Sequence, residues 1–383
     1  MKIAFLTTDN RQADRRYSLT QPYFGTAPAA LLEGLGSIAQ AEIHVISCTQ
    51  QPMSSPTRLS ENIWFHSLHV PSWGWLRSGY GGCIRAVLGK LRQIRPGLVH
   101  AQGTERDCAI SGVFFSGPKL LTIHGNCRAI AKLRASPPLS YWWLQGRLER
   151  FCLPRFNGVI CISKYTEDWV SGLAKRTWQL PNAVDPEFFR IVRSASDEPP
   201  SLLVVANVDH RKNQVGLIRA LDPLSQERRF QLRFFGKCGD DEYGREFQSL
   251  VDARPWCFWG GMAEREKIRG EFARATAVIL PTWEDNCPMV VLESQAAGVP
   301  VIASNVGGIP DLIEDGVTGI LTDPSRPETM PQALERIWQN PAWAGKLAGS
   351  GKKQALAHFH PKIIRSEEHT TELQSRQYLV CRL

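Results

Sequence analysis

The sequence predicts an α/β protein of two Rossmann-like, open parallel-sheet domains facing a central cleft. Three observations carry that expectation. The chain has 383 residues, well beyond one ordinary core of about 150 residues. Strand-length apolar runs alternate with amphipathic helical stretches from one end to the other, the pattern of parallel sheets covered by helices. That rhythm pauses once, over 181–200 (PNAVDPEFFRIVRSASDEPP), a stretch rich in Pro, Ser and charge, and then restarts.

In chain order, the first half reads as strands at Ile3–Thr7, Ile43–Ser47, Leu98–Ala101, Leu120–Ile123 and Val159–Ile162, with helices such as Ala27–Leu35 and Cys83–Ile94 between them. The second half repeats the rhythm. Its strands are Leu202–Ala206, Leu232–Phe235, Ala277–Leu280 and Val301–Ser304, and its helices lie near Gln214–Leu221, Glu242–Asp252, Glu264–Ala273 and Val290–Ala297. The expected division is a domain over 1–184, a linker over 185–200, a second domain over 201–350 and the start of a terminal helix over 351–365. From Arg365 the chain reads RSEEHTTELQSRQYLVCRL, which resembles a translated sequencing-library adapter with one Ser-to-Thr difference; residues 366–383 are expected to be non-native, the other reading being a polar terminal helix.

Composition narrows the function. A hydrophobic share of 43% against 21% charged residues excludes a disordered chain. No apolar run approaches the roughly 18 residues of a membrane span, and the expectation is a cytoplasmic protein. Ten cysteines show no C-x-x-C pair, which argues against a structural zinc site or a disulfide framework. Residues 1–195 carry 23 Lys+Arg against 12 Asp+Glu, a net +11, whereas 196–383 carry 22 against 25, a net −3. Such asymmetry points to an anionic partner for the first half. No nucleic-acid motif accompanies it, so the partner is expected to be a membrane surface or a phosphorylated substrate. The Tyr141-Trp142-Trp143 run among arginines at 128–155 suits an interfacial helix, although a helix packed in its domain has the same composition.

Ligands of open parallel sheets sit beyond the carboxyl ends of the strands. The phosphate-loop and dinucleotide glycine signatures are both absent. The densest signal is LPTWEDNCPMVVLESQAAGVPVIASNVGGIPDLIEDGVTGILTDP, from Leu280 to Pro324: strand, acidic loop, helix, strand, Gly-Gly turn. Pro288 suits the first helical turn, which places Glu293 in the second turn. A carboxylate accepts two hydroxyl hydrogens, so Asp285 and Glu293 on one wall can hold a diol. Asn305-Val306-Gly307-Gly308 opens a further helix whose N–H groups would suit a pyrophosphate. Taken alone, an acid pair eight positions apart is more often solvated surface; here its neighbours speak for a site.

This block resembles the donor-binding core of glycosyltransferase family 4, a large retaining family with the two-domain B-type fold, and the resemblance covers nearly the whole chain. The family's E-x7-E motif falls on Asp285 and Glu293, followed by Ala297-Gly298-Val299-Pro300-Val301 and Gly307-Gly308-Ile309-Pro310. Pro181-Asn182-Ala183-Val184-Asp185, Cys161-Ile162-Ser163-Lys164-Tyr165, Thr122-Ile123-His124-Gly125 and Tyr23-Phe24-Gly25-Thr26 match further landmarks. Two departures stand out. The first acid is Asp285, one methylene shorter than the family's Glu, with Glu284 beside it as a substitute; and the family's Arg–Lys pair falls on Asn207 and Lys212, with Arg211 as a replacement cation.

The resemblance implies transfer of a sugar, with retention and without a metal or other cofactor, from a nucleotide-diphosphate donor to a hydroxyl of a glycan or lipid-linked acceptor. In that reading His124 and Asp285 act at the sugar, and Glu293 holds the ribose. Lys212 or Arg211, with the amides at Gly307 and Gly308, cradles the diphosphate, and Gly25 lies on the acceptor side. The expected setting is surface polysaccharide or glycolipid synthesis, with the protein peripheral on the inner membrane face. A catalytically weak sugar-nucleotide-binding scaffold of the same fold is the alternative, supported by Asp285 and Asn207. A B-type epimerase or an unusual oxidoreductase is a third reading, and the missing dinucleotide fingerprint counts against the oxidoreductase.

Overall fold

A computed structural model describes residues 1–36, 38, 41–194 and 199–364. The tail at 366–383, residue 365 and part of the expected linker (195–198) lie outside the described residues. The described residues divide into two compact units, Met1–Ala183 together with Pro361–Ile364, and Val184–His360.

The first unit runs β1 (Lys2–Leu6), α1 (Asn10–Ala13), α2 (Thr26–Leu35), β2 (Glu42–Thr49), β3 (Arg58–Ser60), β4 (Ile63–His69), α3 (Gly81–Ile94), β5 (Leu98–Gln102), α4 (Asp107–Val113), β6 (Lys119–Ile123), α5 (Cys127–Leu133), α6 (Tyr141–Cys152), β7 (Gly158–Cys161), α7 (Lys164–Val170) and β8 (Thr177–Gln179). Its sheet has the order β3-β4-β2-β1-β5-β6-β7-β8, parallel except for the antiparallel edge pair β3–β4. Phe5 is in register with Val45 on one side and His100 on the other. The central strands are largely apolar because helices cover both faces. Leu6, Val99, Leu121 and Phe156 pack with α3 and α4 on one face, and Phe5, Val45 and Phe65 pack with Leu31, Leu32 and Leu35 of α2 on the other. The Ser163 hydroxyl accepts the Thr166 N–H at 3.0 Å and caps α7.

The second unit continues with β9 (Ser201–Val205), α8 (Gln214–Glu227), β10 (Gln231–Phe235), α9 (Glu242–Asp252), β11 (Cys257–Trp259), α10 (Arg265–Arg274), β12 (Ala277–Leu280), α11 (Met289–Ala297), β13 (Val301–Ser304), β14 (Ile320–Thr322), α12 (Thr329–Gln339) and α13 (Pro341–His358). Its six strands are all parallel in the order β11-β10-β9-β12-β13-β14. The chain leaves β9 toward β10 on one side and returns to β12 on the other, so the β9–β12 boundary is a topological switch point.

Every strand expected from the sequence is present, with ends displaced by two residues at most. Three differences have physical causes. The short strands β8, β11 and β14 have only three residues each, too few to register as periodic runs. Helix α8 continues six residues beyond the expected end, through Pro223; that proline is exposed, while buried Leu221 and Leu224 hold the turn to the core. The stretch read as a linker is partly structured: Pro186–Arg190 forms a 3-10 turn, and buried Phe188 meets Phe272 edge-on at 5.2 Å.

Candidate active site

In the second unit, three loops at the carboxyl ends of β9, β12 and β13 are tied together. The loop after β9 turns at Asp209, whose carboxylate accepts the Lys212 N–H at 3.0 Å. The loop after β12 then locks onto it. The Trp283 N–H donates to the Arg211 carbonyl at 2.8 Å, and Thr282 Oγ1 lies within hydrogen-bonding distance of the Arg211 and Glu284 carbonyls. Arg211 Nη1 donates to the Glu284 carbonyl at 2.9 Å and pairs with its Oε2 at 3.3 Å. Lys212 Nζ pairs with Asp285 Oδ2. Arg211, whose direction the sequence left open, therefore meets the acid that stands beside the motif position. Burial pushes the Glu284 carboxyl up, while the Arg211 charge pulls it back down.

The Gly-Gly turn closes the third side. The Gly308 N–H donates to the Asp285 carbonyl at 2.9 Å, and Gly307 has φ +58°. A Cβ on Gly307 would stand 2.0 Å from the Asp285 carbonyl oxygen. The expected helix start is a single 3-10 turn, Ile309–Asp311, and the Gly308 amide is already engaged by the protein. At the Asn207 position the side chain serves the fold: its Oδ1 accepts the Lys237 N–H at 3.2 Å, which ties the ends of β9 and β10.

Glu293 lies in the second turn of α11, as the Pro288 start requires. Every residue from Val290 to Ala297 is buried, and a left-handed Gly298 (φ +68°) ends the helix. Glu293 is 8% exposed, and among the described residues no donor reaches its carboxylate at hydrogen-bonding distance. Burial pushes its carboxyl up to about 7; Arg265 opposes the rise and Asp185 adds to it. No hydrogen bond or ion pair among the described residues joins Glu293 to the Asp285 cluster.

In the first unit His124 follows β6 and donates from Nε2 to Gln102 Oε1 at 2.7 Å. Gln102 Nε2 in turn donates to His100 Nε2 at 3.1 Å, which also lies 2.7 Å from Thr122 Oγ1. Burial lowers the His124 imidazole to about 4, so it works as a neutral hydrogen-bonding ring. Glu105 is a residue that sequence reasoning missed. Its carboxylate fits only because two positions lack side chains: a Cβ on Gly103 (φ +81°) would lie 2.2 Å from Oε2, and one on Gly125 would lie 2.7 Å from Oε1. Burial pushes this carboxyl up to about 7. The only signal in the sequence is an acid a few residues past a strand end, too common to single out.

Gly25 caps the start of α2 at φ −54°, and a Cβ there would make only ordinary contact with Pro28. Neither backbone nor packing demands glycine there. The loop before it is tied down at Arg11. Arg11 is fully buried and pairs with Asp9 at 2.6 Å, while its Nη1 donates to the carbonyls of Leu19, Thr20 and Ser54 at 2.7–3.0 Å.

Among the described residues one set of metal-ligand types lies together, namely Cys48, Cys83 and Asp107, all buried. The neighbouring thiol of Cys83 and burial push the Cys48 thiol well up. No disulfide joins the nine described cysteines.

Two parallel-sheet α/β units with their polar clusters at the strand carboxyl ends define the B-type class of glycosyltransferase folds. Residues 29–188 match the family described as Glycosyltransferase Family 4, and residues 199–340 match Glycosyl transferases group 1. The D-inositol 3-phosphate glycosyltransferase of Nocardiopsis dassonvillei is 34% identical over 91 residues, 24% of this chain and 21% of that protein. The chain thus spans about a fifth of the length of such curated relatives. The alpha-maltose-1-phosphate synthase of Mycolicibacterium smegmatis is 23% identical over 65% of this chain and 71% of its own. Among solved structures, sucrose-phosphate synthase from Thermosynechococcus elongatus has a TM-score of 0.79 at 19% identity, covering 98% of both chains. Anabaena HepE, solved in complex with UDP-glucose, scores 0.73 at 16% identity, covering 98% of this chain and 100% of that one. Each half of the chain thus matches a glycosyltransferase family model.

Proposed function

We propose that the protein transfers a sugar, with retention of configuration, from a nucleoside-diphosphate sugar to a hydroxyl of a glycan or lipid-linked acceptor in surface polysaccharide or glycolipid synthesis. The observation that carries this reading is the double ion pair Arg211–Glu284 and Lys212–Asp285, held by the Gly307-Gly308 turn at a topological switch point. On donor binding the diphosphate takes Lys212 from Asp285. The released carboxylate is then available to sugar hydroxyls, and Lys212 with Arg211 supplies the positive charge that stabilises the leaving diphosphate without a metal. Ionised Glu293 accepts the two ribose hydroxyls. His124, neutral and oriented through Gln102, accepts a hydroxyl hydrogen of the transferred sugar or its acceptor at Nδ1. The relatives' names and the UDP-glucose bound by HepE support the donor class.

The test has two parts. A thermal-shift screen over nucleoside-diphosphate sugars should raise the melting temperature for at least one base, since a ligand at 100 times its Kd stabilises by about 2.7 kcal/mol. Proton NMR of the product anomeric centre should then show retention, unchanged by a chelator. No shift with any donor overturns the reading. Binding without turnover supports the scaffold alternative.

The reading places the protein at the cytoplasmic face of an anionic membrane. Among the described residues no helix is long and apolar enough to cross one. Along residues 127–155 the single acid, Glu149, is buried and paired with Arg128 at 2.9 Å, whereas Arg134, Arg147, Arg150 and Arg155 are exposed beside exposed Leu133, Leu139, Tyr141 and Phe151. That combination suits an anionic headgroup layer.

A further inference from the structure

At the amino ends of its strands the second unit carries a groove of about 550 Å3. Pro200, Thr276 and Pro300 line it and immediately precede β9, β12 and β13, so it lies at the end of the sheet opposite the acidic loop and the Gly-Gly turn. Its walls are largely apolar, with Ala297 at the end of α11, Trp338 from α12 and Ala348 from α13. Two cations interrupt that surface, Arg193 and Lys352, and among the described residues no Asp or Glu lines it. Arg193 is partly buried, and burial pulls its guanidinium down from the ordinary value. Its Nη1 donates to the Phe272 carbonyl in the last turn of α10 at 3.0 Å, and no carboxylate pairs with it among the described residues. A guanidinium has more N–H donors than that one bond uses. Lys352, also partly buried, has neither an acidic partner nor a hydrogen-bond acceptor among the described residues.

Two partly desolvated cations with no counter-charge beside them favour an anion. Apolar walls around them favour an apolar body, whose burial a bare inorganic anion would forgo. An anionic head on an apolar chain satisfies both. Size agrees, because small-molecule sites span about 300–1,000 Å3. We propose that this groove binds a single-chain amphipathic anion, an alkyl carboxylate or alkyl phosphate, its head drawn to Arg193 and Lys352 and its chain lying along Trp338 and α13. The site is separate from the Arg211–Glu284 and Lys212–Asp285 pairs. The proposal therefore stands or falls independently of sugar transfer.

Fluorescence titration of the full chain with dansylundecanoate tests it. Saturable enhancement with a micromolar Kd is expected, and dodecanoate and dodecyl phosphate should both displace the probe. Dodecanol, which has the chain without the charge, should displace it at least about tenfold more weakly. Arg193→Gln and Lys352→Gln should each weaken probe binding at least about threefold, and Arg193→Lys, which keeps the charge, should lose less than Arg193→Gln. Gly349→Leu places a side chain across the groove from α13. A Cβ there meets no atom within 4 Å and glycine is a poor helix former, so folding is preserved while binding should fall at least about tenfold. No saturable binding, or displacement by dodecanol as strong as by dodecanoate, overturns the proposal. So does binding that survives Arg193→Gln, Lys352→Gln and Gly349→Leu combined, which would put the probe elsewhere on the protein. Binding that appears only after residues 366–383 are removed would make the chain's own end the occupant, and overturns it as well.

Discussion

At the scale of single residues, Glu293 combines a cost to stability with the proposed role in binding. Its carboxyl is held at about 7 against an ordinary 4.5, so between those values the unfolded chain is ionised while the folded one keeps its proton. Stability from this group is fully present below about pH 4.5 and is lost as pH rises through 7, an effect of order 3 kcal/mol at about 1.4 kcal/mol per unit. Glu293→Gln should therefore melt higher than wild type at pH 8 and have a flatter melting profile from pH 5 to 8. Calorimetry should show the same variant binding the nucleotide roughly tenfold to a hundredfold more weakly, through loss of a charge-assisted bond worth about 1.5–3 kcal/mol. Equal affinity in the two proteins would remove Glu293 from the site. His124 has the opposite sign. With its imidazole lowered to about 4, it contributes stability above pH 6.5 that is lost as pH falls toward 4, and its ring proton resonances should stay constant from pH 5.5 to 8. Glu293 and His124 were legible because each belongs to a short local pattern. Gln102, Glu105 and the buried Asp9–Arg11 pair were not, because what distinguishes them is contact with groups on other elements.

At the scale of elements, the acidic loop and the Gly-Gly turn form one mechanical piece. Gly307→Ala would put a methyl 2.0 Å from the Asp285 carbonyl oxygen at φ +58°. It should cost at least about 1–3 kcal/mol in urea unfolding and abolish donor binding, since the turn must move away from Asp285. Gly25→Ala meets no such obstacle. It should leave stability within about 0.5 kcal/mol of wild type while raising the acceptor KM, and a clear loss of stability would show that Gly25 serves the fold. A double-mutant cycle on Lys212 and Asp285 should give coupling of about 1–3 kcal/mol without donor, because both side chains are largely buried. Saturating nucleoside diphosphate should reduce that coupling if the phosphate takes Lys212 from its partner. The strand-plus-turn grammar was readable from apolar runs and glycines; that Arg211 and Lys212 each face an acid was not, since 73 residues separate the partners.

At the scale of the molecule, the charge division of +11 over residues 1–195 against −3 over the rest should act as a long-range field. Vesicles containing anionic lipid should retain the protein at low salt and release it as ionic strength passes physiological values, where screening acts over about 8 Å. Arg147→Glu with Arg150→Glu, both exposed on α6, should weaken retention more than tenfold without lowering the melting temperature. Equal binding to neutral vesicles would point to the aromatic residues instead of the charge.

The sequence by itself determined the two-domain α/β class, most of the longer strands and the block from Leu280 to Pro324, because periodicity, turn chemistry and motif spacing are local properties written in consecutive residues. Tertiary structure alone decided three further things. It turned Asn207 into a tie between β9 and β10, it committed the Gly308 amide to Asp285, and it left the buried Ser304 hydroxyl without a hydrogen-bond partner among the described residues. Each depends on which strands become neighbours in a sheet. A parallel sheet brings together residues separated by whole βα units, so the partner of a polar group is set by topology rather than by anything beside it in the chain.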